Sequence, residues 1–115
     1  MKVARDSMEI LDLTLKILDD MKALNIKSIN VSKQSSITDY MIFTTGTSSR
    51  HSRSVIDKVS EKAKQEGYTI LGIEGYESGQ WILIDLETII LHIMLDEVRL
   101  FYKLDDLWSV GNSFK

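Results

Sequence analysis

The chain has 115 residues, enough for one domain around one core and too few for a separate catalytic domain. Its apolar share of 43% is that of an ordinary globular chain, and no apolar run nears the roughly 20 residues that span a bilayer. A net charge of −3, from 14 Lys and Arg against 17 Asp and Glu, argues against a surface that grips phosphates, and the absence of Cys removes disulfides, thiol catalysis and zinc thiolates. The start, residues 1–6, is charged and has no leader-like apolar stretch, so a cytoplasmic protein is expected. A mildly acidic surface suits a basic protein partner.

In chain order, residues 7–24 read as an amphipathic helix with Met8, Leu11, Leu15 and Leu18 on one face and Ser7 as N-cap. Residues 26–33 read as an outer strand, and the apolar run 39–45 as a strand buried on both faces. Gly46 turns the chain, Thr47 or Ser48 caps a helix running to about Glu66, and Gly67 stops it. A short strand over 69–74 completes the grammar of a βαβ unit. After a loop at 75–79, strands 80–85 and 88–94 form a tight hairpin. Residues 95–108 return to helix, with Leu100, Phe101, Leu104, Leu107 and Trp108 on one stripe, and 109–115 read as a frayed tail. The expected architecture is a single α/β domain over 1–115, with a mixed sheet of about five strands and three main helices.

The hairpin is the most informative segment. Alternation places Trp81, Leu83 and Asp85 on one face of the first arm, and Gln80, Ile82 and Ile84 on the other. In the second arm Ile90, His92 and Met94 oppose Ile89, Leu91, Ile93 and Leu95. Both faces are therefore apolar, unlike a sheet with one wet side. Three helices either cover both faces or crowd one and leave the other partly bare. The second arrangement exposes a patch mixing Trp81 with Leu83, Met94, His92 and Asp85, of the kind that marks interfaces. Trp81 reads equally as core or contact. His92, flanked at two-residue spacing by Ile90 and Met94, reads as a hydrogen-bonded core or rim residue, not a metal ligand.

Catalytic constellations are weak. The segment Gly46–Arg50 before a helix could bind a phosphate, but it lacks the longer glycine loop and Lys of a Walker motif. A nucleotidyltransferase would need two carboxylates two apart on the next strand to converge on metal ions. That strand offers only Glu74, and Asp85 and Glu87 sit across a turn. The plainer reading is a Ser/Thr cap with Arg50 and His51 solvated nearby. No Gly-x-Ser-x-Gly elbow is present. No enzyme, metal or cofactor is expected, and nucleotide binding at Gly46–Arg50 stands as the alternative. A homodimer pairing through the hairpin face is a third reading.

Three stretches together resemble the ribosomal silencing factors, also called Iojap-like proteins. They are residues 36–51, from Ser36-Ile37-Thr38-Asp39-Tyr40 to Arg50-His51; Glu74-Gly75 with Trp81 and Asp85; and residues 90–94 through Glu97, Arg99, Tyr102, Leu104, Leu107 and Trp108. Family members often have Gly in the hairpin where this chain has Leu86-Glu87. The resemblance implies a fold distantly like a nucleotidyltransferase domain without its catalytic carboxylates. It implies binding to the large ribosomal subunit through its protein fourteen, on the face that meets the small subunit, so that joining is blocked and translation falls when nutrients are scarce. It maps the family's contact Trp onto Trp81. Glu74, Asp85, Tyr102, Leu83 and Met94 are the further candidates for that surface. Direct nucleic-acid binding would be slight, and no membrane is involved.

Overall fold

The computed structural model describes residues 7–104. The side chain of Ser7, the expected helix over 105–108 with Leu107 and Trp108, and the expected tail at 109–115 lie outside them.

Helix α1 spans Ser7–Asp20 and buries Ile10, Leu11, Thr14, Ile17 and Leu18. The buried stripe is thus rotated from the expected one: Met8 is 45% exposed and Leu15 only half-buried. The helix also stops earlier than expected. Lys22 takes φ 63, the Lys22 N–H donates to the Asp19 carbonyl and the Ala23 N–H to the Leu18 carbonyl. That is a Schellman stop with Lys where Gly is usual.

Strand β1 (Leu24–Asn30) opens with a bulge between Leu24 and Lys27 and Asn25 at φ 50. Strand β2 (Tyr40–Gly46) is buried from Ile42 onward. Helix α2 (Ser49–Gln65) begins at Ser48, whose hydroxyl accepts from the His51 N–H, and ends with Gly67 at φ 85. Both signals read from the sequence hold. Its face of Val55, Ile56, Val59 and Ala63 is fully buried.

Strand β3 is shorter than expected, Gly72–Glu74, and is followed by β4 (Trp81–Asp85) and β5 (Ile89–Leu95). The sheet order is β1-β2-β5-β4-β3, antiparallel except for the parallel pair β2–β5. The mixed five-stranded α/β sheet is as expected. The βαβ reading needs one correction: β3 runs in the same direction as β2 but at the opposite edge, with β5 and β4 between them.

Helices α1 and α2 cover one face, against Ile82, Ile84, Ile89, Leu91 and Ile93. On the other face a smaller cluster of Ile29, Val31, Phe43 and Met94 is capped by Val98 and Leu104, from and just beyond α3 (Asp96–Tyr102). Of the two arrangements open from the sequence, the helices crowd one face and cover only part of the other. Leu100 and Phe101, placed by periodicity on a buried stripe, are 62% and 78% exposed, because α3 spans only one end of the sheet.

Candidate functional site

Alternation along β4 turns Trp81, Leu83 and Asp85 away from α1 and α2, and all three are half-buried. Directly opposite residues share a face. Glu74 therefore joins that face through its pairing with Leu83, as does Met94 through its pairing with Trp81. Tyr102 arrives from α3, its ring centroid 5.0 Å from that of Trp81. All six residues expected at the contact surface thus meet on one side of the sheet. Met94 departs from expectation in one respect: it is fully buried in a cluster that Trp81, Val98 and Leu104 pack against, so it forms the floor and presents nothing to solvent.

The indole is held in place. Its N–H donates to Nδ1 of His92 at 3.1 Å, which puts the imidazole proton on Nε2. His92 in turn stacks on Phe43, centroids 4.9 Å apart and planes within 10°. Burial pushes the His92 pKa down to about 4, so the ring is a neutral, fixed acceptor at physiological pH. This is the hydrogen-bonded role expected for it. Tyr102 also meets Phe101 edge-on at 4.9 Å. A run of five rings, Phe101–Tyr102–Trp81–His92–Phe43, therefore leads from solvent into the core.

Two neighbouring segments aim this surface. The loop before Trp81 is docked on α2: the Tyr76 hydroxyl donates to the Asp57 carboxylate at 2.9 Å, and Arg53 donates to the Glu77 carbonyl. Gly79 sits at φ 73 against Ser49 and Arg53, where a Cβ would collide with both. The short helix α3 has no side-chain N-cap bond and ends at Lys103 in the left-handed region. Arg99 fastens it, donating to the Asn25 carbonyl at 2.7 Å and the Thr45 hydroxyl at 3.0 Å.

Between α3 and the start of β4 lies a cavity of about 420 Å³ lined by Ser78, Gln80, Trp81, Glu97, Val98, Phe101 and Tyr102. Of these, only Trp81 and Tyr102 are expected at this surface from the sequence. Asp85 stands farther along the face, with one carboxylate oxygen accepting the Glu87 N–H in the turn.

The start of α2, the alternative nucleotide site, is occupied by its own side chains. Ser48 accepts from the His51 N–H, and the Thr47 N–H donates to His51 Nδ1 at 3.0 Å. His51 Nε2 then donates to the Met21 carbonyl at 2.7 Å. His51 is therefore a half-buried strut between α2 and the α1–β1 turn and not the solvated neighbour expected. Among the described residues no group of three His, Cys, Asp or Glu is placed to hold a metal ion, and no helix is long and apolar enough to cross a membrane.

Residues 4–114 match the family described as ribosomal silencing factor during starvation. A relative from Chromobacterium violaceum, named ribosomal silencing factor RsfS, is 38% identical over 101 residues, 88% of this chain and 83% of its own. A crystal structure of a Chromobacterium violaceum protein superposes with a TM-score of 0.88 at 36% identity, covering 91% of this chain and 88% of that one. A more distant relative from Mus musculus, named mitochondrial assembly of ribosomal large subunit protein 1, is 29% identical over 103 residues, 87% of this chain and 45% of its own length. The chain belongs to the ribosomal silencing factor family.

Proposed function

We propose that this protein represses translation by docking on the large ribosomal subunit, through that subunit's protein fourteen, and standing where the small subunit would join. The observation that carries the reading is the half-covered sheet face, with Trp81 and Tyr102 in ring contact beside Leu83, Glu74 and Asp85. A partly exposed aromatic pair with apolar neighbours and a polar rim is the anatomy of a binding hot spot. The name of the mouse relative, which refers to assembly of the large subunit, points to the same half of the ribosome.

The mechanism is steric: no bond is made or broken. An interface of ordinary size takes roughly 800 Å² from each partner. The rest of the domain, 22 Å through its shortest axis, then remains as an obstacle far thicker than the gap between two docked surfaces. The setting is the cytoplasm, where the subunits meet. Contact with RNA is slight because the chain is acidic.

Sedimentation with separated subunits tests the docking. The parent protein travels with the large subunit only. Trp81→Ala weakens that association by about 2 kcal/mol or more. Because Trp81→Ala also leaves the buried His92 without its donor, Leu83→Glu on the same face serves as the second variant, and melting curves check that both fold. If both folded variants bind like the parent, the docking face is wrong. Calorimetry with ATP and magnesium is expected to give no heat; binding lost on Ser48→Ala would favour a nucleotide site instead.

A further inference from the structure

The cavity beside Trp81 has a chemistry that names its occupant. Its walls are the rings of Trp81, Phe101 and Tyr102, the aliphatic Val98 and the neutral polar Ser78 and Gln80, and the one ionised group in its lining is Glu97. Glu97 is exposed in the first turn of α3 and makes no hydrogen bond or ion pair among the described residues. A first-turn carboxylate also complements the helix dipole. Asp96, in the same turn, already fills that role without lining this cavity, so the dipole gives no account of why Glu97 shares a lining with three aromatic residues. No cationic side chain lines the cavity: Arg99 points to Asn25 and Thr45, and Lys103 lies outside it.

Ring faces carry negative potential and attract cations. An apolar guest would bury the Glu97 carboxylate unpaired, and an acidic one would be repelled by it. A Lys or Arg side chain meets every requirement, its stem against Val98 and its charge shared between the rings and Glu97. Arg suits it better, because a planar guanidinium can stack on a ring while its fork meets the carboxylate. Glu74 and Asp85 extend the same sign of charge along the face.

We infer that this cavity receives a basic side chain, Arg in preference to Lys, from the protein partner, and that Glu97 is its counter-ion and the residue that sets specificity. The inference rests on the docking reading given above and supplies the chemistry of its partner.

Binding of purified large subunits is measured across a salt series for the parent and for Glu97→Gln, Glu97→Arg and Trp81→Ala. Glu97 is exposed, so its variants are expected to fold, with only the small loss that a first-turn charge contributes, and melting curves check this. Glu97→Gln is expected to weaken binding roughly fivefold at low salt, with the difference shrinking as salt rises. Glu97→Arg is expected to weaken it by about tenfold or more, and reversal of one basic residue on protein fourteen restores it. If Trp81→Ala loses binding while both Glu97 variants match the parent at every salt concentration, the cation is wrong and the docking face survives. If Trp81→Ala and Leu83→Glu also match the parent, the docking reading itself has failed. A parent dimer in light scattering that Glu97→Arg dissociates would make the occupant a second copy of this chain and overturn the inference.

Discussion

Single side chains set the terms on both faces of the sheet. His92 is held neutral by burial, its pKa lowered from 6.5 to about 4, while the unfolded chain keeps the ordinary value. Between those two values the unfolded state binds more protons, so stability is complete above pH 6.5 and is lost as pH falls toward 4. The loss amounts to about 3 kcal/mol when the interval is crossed. Denaturant titrations at stepped pH should show that slope, and His92→Gln, which retains an acceptor for the Trp81 N–H, should flatten it. On the opposite face Ser52 is fully buried and its hydroxyl has no hydrogen-bond partner among the described residues. It occupies the space where a Cβ on Gly46 would stand. Ser52→Ala should therefore raise stability by about 0.5 kcal/mol, through better helix propensity and one fewer stranded donor. Gly46→Ala should cost about 2 kcal/mol by overpacking. The double variant should cost clearly less than the two single effects added, since the clash is with the hydroxyl. Additive effects would show that the two sites are independent.

Elements proved legible where a residue's local chemistry and its tertiary role agree. Helix α2 is bounded by Ser48 and Gly67, a cap and a stop with plain physical causes. The faces of β4 and β5 follow from alternation alone, down to the opposition of Trp81 and Met94. Helix α1 ends before its periodicity predicts because Lys22 takes a left-handed backbone conformation that Gly would have advertised. Strand β3 took an edge position that nothing in its own residues specifies. The β4–β5 turn shows the same disguise as Lys22. Glu87 stands at φ 79, and the Asp85 carboxylate accepts its N–H at 2.9 Å, which offsets part of the cost. A non-glycine residue in that region costs about 1–2 kcal/mol, while glycine loses more entropy on folding. Glu87→Gly should thus stabilise the protein by about 0.5–1 kcal/mol, read as a shift of the denaturation midpoint with no change in slope. A destabilised variant would mean that the Glu87 side chain makes a contact worth more than the strain.

At the scale of the whole molecule, periodicity told which residues share a face but not which face the helices cover. That choice depends on α1 and α2 packing side by side and on α3 being only seven residues long. For this reason the strip around Trp81 was visible in the sequence while the cavity beside it was not, and Phe101 and Met94 exchanged their expected places. One face of the sheet is closed and the other is half open, with a ring run from solvent to core at the border of the α3 cover. On the proposed reading, such a body docks on a larger assembly without rearranging its own core, and its bulk does the obstructing. The most direct measurement is light scattering during reassociation of purified ribosomal subunits with rising amounts of this protein. Large subunits preincubated with the parent should fail to join in proportion to occupancy, with Trp81→Ala and Leu83→Glu far less effective. Unimpeded joining with the large subunit fully occupied would contradict the account.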